Sequence, residues 1–139
     1  MPPYTTLWYY HNVQFIESLP FTRKLHRLAG DRADGVLRAI QGDLERNPAR
    51  GAMVPGLGGV RKARIANPGR GKGKRGGYRY LYLYLETRRH IHLLLLLDKN
   101  EQEDVSAAQS SASRYVNGLR KLNETRETEN GEKNQSEHF

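Results

Sequence analysis

Cysteine is absent from the 139 residues of this chain, so the protein has neither a disulfide framework nor a thiol nucleophile. Such a composition is typical of the reducing cytoplasm, where we expect this protein to act. Long hydrophobic runs are also absent, because the longest, Ile91–Leu97, contains His92 and is far shorter than the roughly 20 residues of a membrane helix. The first residues lack a basic segment followed by a long apolar one, so the sequence predicts no secretory signal and no membrane partner.

Acidic residues are absent between Glu45 and Glu86, while the chain as a whole has a net charge of +8 and a pI of about 9.9. Within this gap, residues 59–79 are rich in glycine and carry eight basic residues: Arg61, Lys62, Arg64, Arg70, Lys72, Lys74, Arg75 and Arg79. Basic residues in segments of strand character, joined by a basic glycine-rich loop, indicate a surface that binds phosphates. RNA is therefore the first partner to consider.

The pattern of apolar residues predicts one α+β domain. Residues 13–17 alternate between apolar and polar, as in a strand, and two helices follow between Ser18 and Asn47. Three further strands are predicted at Val60–Ala66, Tyr78–Leu85 and Ile91–Leu97. The last two are closely spaced and almost continuously apolar, which favours an antiparallel hairpin at the centre of the sheet. With a final helix from Ser106 to Leu122, we expect a small antiparallel sheet with an N-terminal helical hairpin and a C-terminal helix, all on one face.

The two ends of the chain differ from this core. Residues 1–11 are aromatic and contain proline, and we treat them as an N-terminal arm. Residues 123–139 are polar and have a net charge of −3, because five glutamates outnumber one arginine and one lysine. This composition predicts a disordered acidic tail. The domain is then residues 12–122, and residues 1–122 carry a charge of +11.

Three segments in order carry a resemblance to a known family. They read PGLGGVRKAR at Pro55–Arg64, GRGKGKRGGYR at Gly69–Arg79 and DKNEQEDVS at Asp98–Ser106. Together with the preceding helical hairpin, they resemble the RelE/HigB branch of bacterial toxins of type II toxin–antitoxin systems. The resemblance is greatest to the HigB-type subgroup, with its PGxGGxRK, GKGKRGGxR and KNExxD signatures, and it covers roughly residues 12–122.

The resemblance implies a RelE-like RNase fold and a ribosome-dependent endoribonuclease, an mRNA interferase that cuts translated mRNA in the ribosomal A site. The implied partners are mRNA on the ribosome, ribosomal RNA and a cognate antitoxin protein. RNA carries its own nucleophile, the ribose 2′-hydroxyl. The chemistry therefore requires a base for that hydroxyl, cations around the phosphate and an acid for the 5′-oxygen, and we expect no metal and no other cofactor.

Four basic positions match the active site of the family: Lys62, Arg64, Arg79 and Lys99. Lys62 and Arg64 lie two residues apart on one strand and so share a face of the sheet. We assign Arg64 and Arg79 to clamping the phosphate and stabilising the transition state, because arginine offers a planar fork of fixed charge. Lys62 is a candidate base or electrostatic group, and Lys99 a candidate acid. The other five basic residues of the segment 59–79 are candidates for binding RNA and the ribosome: Arg61, Arg70, Lys72, Lys74 and Arg75.

Classical members of the RelE family carry a functional tyrosine near the last helix, where this chain has Val105 and Ser106. The base is therefore Lys62, a ribosomal group, or one of the tyrosines at positions 82 and 84. The tyrosines at 78, 80, 82 and 84 share one strand face and are more typical of a buried packing layer than of a base-stacking platform. The pair His90 and His92 favours a structural role over a metal site, because no third ligand lies at suitable spacing.

Two other functions remain open at this level. The protein could be a non-catalytic homologue that binds nucleic acid, for example as a corepressor with its antitoxin. It could also be a gyrase poison of the ParE type, since that branch shares the fold. The presence of Lys62, Arg64, Arg79 and Lys99 favours the nuclease over both.

Overall fold

The structure is a computed structural model that describes residues 13–66, 77–98 and 105–136. Its elements in chain order are β1 (Gln14–Glu17), α1 (Leu19–Ala29), a 3-10 turn (Gly30–Arg32), α2 (Ala33–Arg46), β2 (Ala52–Met53), β3 (Val60–Ile65), β4 (Tyr78–Leu85), β5 (His90–Asp98) and α3 (Val105–Ser136). The predicted N-terminal arm, the basic loop with Arg70, Lys72, Lys74 and Arg75, and Lys99 lie outside the described residues.

The five strands form one sheet in the order β1-β5-β4-β3-β2. The predicted hairpin of β4 and β5 is confirmed, and it occupies the centre of the sheet. The prediction that the sheet is wholly antiparallel is wrong at one edge, because β1 pairs with β5 in parallel. Only strands joined by a short turn have their relative direction set locally. The direction of β1 depends on its docking against β5, far along the chain.

The helices cover both faces of the sheet, and the prediction that they lie on one face is wrong. α1 and α2 pack on the face that carries Tyr80 and Tyr82, whereas α3 packs on the other. The contacts on the second face come from Ala108, Ala112 and Val116 against Leu81, Leu83, Leu94 and Leu97. β4 and β5 are apolar on both sides, so each side requires a helix to remove it from water.

A serine at the start of α1 also binds the middle of β5. The hydroxyl of Ser18 accepts a hydrogen bond from the Phe21 N–H at 3.2 Å and donates one to the Leu94 carbonyl at 2.7 Å. Leu94 is the extra residue of a bulge in β5, since Leu81 pairs with Leu95 and Tyr82 with Leu93. Ser18, the N-cap residue of α1, therefore fixes this helix against the bulged part of the central hairpin.

The row of tyrosines on β4 is a packing layer, as predicted: Tyr78, Tyr80 and Tyr82 are buried. Tyr82 also anchors the loop between α2 and β2. Its hydroxyl donates to the Pro48 carbonyl at 2.8 Å and accepts from the Gly51 N–H at 2.9 Å. A Cβ at Gly51 would lie 2.7 Å from the Lys62 carbonyl oxygen and 2.9 Å from the Tyr82 ring, so only glycine allows this approach.

We expect Tyr82→Phe to lower the free energy of unfolding by about 1–3 kcal/mol, because the Gly51 N–H and the Pro48 carbonyl each lose a partner. Urea unfolding followed by circular dichroism measures the change. The matched control is Tyr84→Phe, on the same strand face but only partly buried, for which we expect a change within about 0.5 kcal/mol. Equal losses in the two variants would contradict the anchoring role of the Tyr82 hydroxyl.

α3 extends to Ser136, beyond the predicted domain end at residue 122. Residues 123–136 are thus helical where the sequence predicts disorder. Their low hydrophobicity led to that prediction, but glutamate, lysine, arginine and glutamine are good helix formers, and Gly131 is the one strong helix breaker among these residues. A helix that is already packed on the sheet continues through them without a new nucleation step.

His92 joins the sheet to α3. It is 5% exposed, and its Nδ1 lies 2.7 Å from the hydroxyl of Tyr115. Burial lowers the pKa of His92 below its ordinary value of 6.5, and the charge of nearby His90 lowers it further. Burial also raises the pKa of Tyr115. Both groups are therefore neutral at pH 7, and for His92 the contact with Tyr115 is structural.

This depressed pKa makes stability depend on pH. In the unfolded chain His92 binds a proton as the pH falls through 6.5, whereas the folded protein resists protonation until a lower pH. We therefore expect the free energy of unfolding to decrease between pH 7.5 and pH values below 6.5. Urea unfolding of the wild type and of His92→Gln at several pH values measures the effect. Curves that fall equally in both proteins would contradict the assignment to His92.

Candidate active site

Lys62, Arg64 and Arg79 share one face of the sheet. Lys62 and Arg64 are the exposed residues of β3, and they flank Ala63, whose side chain points to the other face. In the register of β3 and β4, Arg64 pairs with Arg79 and Lys62 pairs with Leu81. Paired residues point to the same side of a sheet, so the structure brings together three of the four residues that the resemblance assigns to catalysis.

The three cations occupy neighbouring positions on one face of the sheet. Cβ atoms of directly paired residues are about 4.5–5.5 Å apart, and like charges in such pairs are destabilising. Lys62 lies diagonally from Arg79 in the same register. Within the part of the chain that the structure describes, no carboxylate forms an ion pair with any of the three. An anion with several oxygens, such as a phosphate, would relieve the repulsion and bind to all three.

The guanidinium of Arg79 is the most unusual group of this site. Its Nε and Nη2 atoms are buried and have no hydrogen-bond partner. Its cross-strand neighbours on the two sides are Arg64 and the apolar Leu97. A buried donor without a partner costs about 1–3 kcal/mol, more if it is charged. Such a cost is expected where a ligand completes the set, and two adjacent N–H groups of one planar fork fit two oxygens of a phosphate.

Gly77 brings the ends of β3 and β4 close enough for the arginine pair. A Cβ at this position would collide with the carbonyl oxygen of Ile65. Glycine therefore permits β4 to begin at Tyr78 directly beside the last residue of β3. Arg64 and Arg79 are each next to these terminal residues, so the pair lies at the end of the two-stranded ladder.

Arg61 does not join the other basic residues. Its side chain points to the opposite face, where its Nη1 donates to the carbonyl of Ala49 at 3.2 Å and to that of Gly51 at 2.7 Å. The guanidinium thus fixes the loop that precedes β2. This contact has no signature in the sequence, because the partners are backbone carbonyls in a loop.

The tyrosine candidates for the base lie on the wrong side of the sheet. Tyr82 and Tyr84 point toward α1 and α2 and away from Lys62. Burial also raises the pKa of Tyr82, which disfavours the phenolate form. Of the candidates that the sequence offers within this protein, Lys62 is the one that lies on the face of Arg79.

The described residues contain no group of three or more histidine, cysteine, aspartate or glutamate side chains arranged to hold a metal ion. Of the helices in the described ranges, none combines the length and the apolar character needed to cross a membrane.

Solved structures with a similar fold come from bacterial toxins. A mutant of the toxin RelE from E. coli, in its free state, gives a TM-score of 0.53 at 12% sequence identity and covers 75% of this chain and 97% of the RelE chain. The fold is RelE-like. A RelBE toxin–antitoxin complex from Mycobacterium tuberculosis gives a TM-score of 0.48 at 24% identity, with coverage of 63% and 98%. No family model and no curated protein sequence matches the chain.

The candidate active site lies at the end of the β3–β4 ladder, on the sheet face that α3 covers farther along β4 and β5. The α+β class and the RelE-like fold expected from the sequence signatures are both confirmed.

Proposed function

We propose that this protein is the toxin of a type II toxin–antitoxin system, of the HigB-type subgroup, and a ribosome-dependent mRNA endoribonuclease. The RelE-like fold and the three sequence signatures support this proposal. The single observation that carries it is the pair of buried Arg79 nitrogens, Nε and Nη2, which have no hydrogen-bond partner and belong to a residue beside Arg64 and Lys62. The partners are then mRNA in the ribosomal A site, ribosomal RNA and a cognate antitoxin, and the protein acts in the cytoplasm.

The proposed reaction needs only groups of the RNA, the protein and the ribosome. The 2′-oxygen attacks the adjacent phosphorus and gives up its proton to a base, which is a ribosomal group or Lys62 acting as the uncharged amine. Arg64 and Arg79 hold the phosphate oxygens as negative charge develops on them. The bond from phosphorus to the 5′-oxygen breaks, and Lys99 is the proposed acid that protonates this oxygen. The products are a 2′,3′-cyclic phosphate and a 5′-hydroxyl.

The remaining basic residues have a proposed role in binding. Arg61 and the loop residues Arg70, Lys72, Lys74 and Arg75 were assigned to RNA and the ribosome from the sequence. For the loop residues this remains the proposal, with charge attraction to ribosomal RNA as its physical basis. The guanidinium of Arg61 instead binds the carbonyls of Ala49 and Gly51 on the other face of the sheet.

A chemically altered mRNA tests the reaction. Reporter mRNA is translated in a reconstituted system with the purified protein, and the codon that is cut is identified. A second mRNA carries a single 2′-deoxynucleotide immediately before the cut phosphate. We expect cleavage of the first mRNA and none at that phosphate in the second, because the nucleophile is missing. Cleavage at the deoxy position would rule out attack by the 2′-hydroxyl.

Expression in cells separates the proposed function from the two alternatives. A nuclease that acts on translated mRNA stops incorporation of amino acids before any sign of DNA damage. A gyrase poison gives the reverse order. A corepressor without catalytic activity slows neither process but still binds DNA together with its antitoxin.

A further inference from the structure

At Arg64, the backbone of β3 is hydrogen-bonded by a side chain where a neighbouring strand would otherwise pair with it. β2 has only two residues, and its register with β3 pairs Ala52 with Lys62 and Met53 with Arg61. Continued backward, the same register would place residue 50 opposite Arg64, but β2 begins at Ala52. There the guanidinium of Arg50 takes the place of a strand, because its Nη1 donates to the Arg64 carbonyl at 3.1 Å.

Arg50 is itself held from two other elements. The same Nη1 lies 2.9 Å from the hydroxyl of Tyr80, which is fully buried on β4. It also lies 3.6 Å from Oδ2 of Asp43 on α2, and the side chains of Arg50 and Asp43 are 31% and 29% exposed. Burial raises the pKa of Tyr80 to about 12, so its hydroxyl stays neutral. One guanidinium thus connects α2, β4 and the end of β3.

We propose that Arg50 is a positioning residue for Arg64. Beyond the segment of β3 that pairs with β2, Arg50 holds the carbonyl of Arg64. It thereby fixes the backbone from which the Arg64 side chain reaches the phosphate held by Arg79. The inference rests on the proposed function. Displacement of a catalytic group by about 1 Å can lower a rate by 100-fold, so a strand end that frays would weaken catalysis without any loss of charge from the site.

The first measurement does not depend on activity. The Arg64 carbonyl points away from β4, toward Arg50, so the N–H of the same peptide unit, that of Ile65, points toward β4. Hydrogen exchange at Ile65 therefore reports opening of the β3 end. We expect Arg50→Met to speed this exchange by about 5- to 10-fold, the change that corresponds to one hydrogen bond of ordinary net strength. Exchange at Val60, at the other end of β3, should stay at the wild-type rate. Unchanged exchange at Ile65 would overturn the inference.

The second measurement separates positioning from RNA binding. On ribosomes programmed with one mRNA, we expect Arg50→Met to lower kcat by about 10-fold, less than full removal of a transition-state donor, with KM unchanged. Arg50→Lys should recover part of kcat, because an ammonium can still donate to the Arg64 carbonyl. A rise in KM alone would mean that Arg50 contacts RNA and would overturn the inference.

Arg46→Met is the matched control. Arg46 also binds Asp43, at 3.4 Å, and its side chain is 78% exposed, but this ion pair and its hydrogen bond to the Gly42 carbonyl both stay within α2. The variant therefore removes the same charge and a contact with the same carboxylate. We expect wild-type exchange and wild-type kcat, and an effect equal to that of Arg50→Met would overturn the inference. Wild-type protein that cuts no mRNA is a different result, since it overturns the proposed function itself.

Discussion

We expect Arg79→Met to lower the rate of the proposed mRNA cleavage on the ribosome by at least about 100-fold, the range found when one preorganised donor to a developing negative charge is removed. We also expect that the same variant does not lower the free energy of unfolding. Methionine keeps the apolar stem of the side chain, and the change removes two buried nitrogen atoms that have no partner in the free protein. Single-turnover cleavage and urea unfolding of the same preparation measure the two effects.

Two variants define what is lost in Arg79→Met. Arg23→Met removes one positive charge from the exposed side of α1, on the opposite face of the sheet, and should retain cleavage within about twofold, as expected of surface charge screened by salt. Arg79→Lys keeps the charge without the planar fork and should remain impaired. Normal cleavage by Arg79→Met would contradict the placement of Arg79 at the centre of the site. So would a loss of folded protein large enough to account for the lost cleavage activity.

Phe21→Ala has the largest expected effect on stability, about 3–5 kcal/mol, which is the range for removing a buried aromatic ring. Phe21 is fully buried on α1 and packs in the cluster that contains the tyrosine layer of β4. Since small domains have only about 5–15 kcal/mol of stability in total, this loss removes a large part of it, and we expect a smaller folded fraction at growth temperature and, under the proposed function, weaker toxicity. Urea unfolding at 25 °C measures the loss directly.

Leu19→Ala is the matched control on the same helix. Leu19 is 58% exposed, and leucine and alanine have similar helix propensities. We expect a change within about 0.5 kcal/mol and full cleavage activity. A large loss of stability in Leu19→Ala would show that this end of α1 has a buried surface that the structure does not contain. Phe21→Ala and Arg79→Met then separate loss of the fold from loss of the chemistry.

The fold could be predicted from the sequence wherever local patterns determine it. Helical spacing before Asn47, strand patterns after Val60 and the short turn between β4 and β5 all correspond to elements of the structure. The direction of β1 and the face covered by α3 could not be predicted, because both depend on contacts between distant segments. The two-sided apolar character of β4 and β5 was nevertheless a signal that helices cover both faces.

The candidate active site, like the fold, could be predicted only where local sequence patterns determine it. Alternation along β3 correctly places Lys62 and Arg64 on one face, because that periodicity is a property of any strand. The pairing with Arg79 required the register of two strands separated by a long loop. The contacts of Arg50 and Arg61 with backbone carbonyls have no signature in the sequence at all, since any residue can supply a carbonyl.

Primer extension on a reporter mRNA tests the central proposal most directly, with wild type and Arg79→Met side by side in a reconstituted translation system and parallel reactions without ribosomes. We expect new 5′-ends in register with codons, only with the wild-type protein and only when ribosomes are present. Intact mRNA in the wild-type reaction, or equal cleavage by Arg79→Met, would contradict the proposal that Lys62, Arg64 and Arg79 form the active site of an mRNA endoribonuclease.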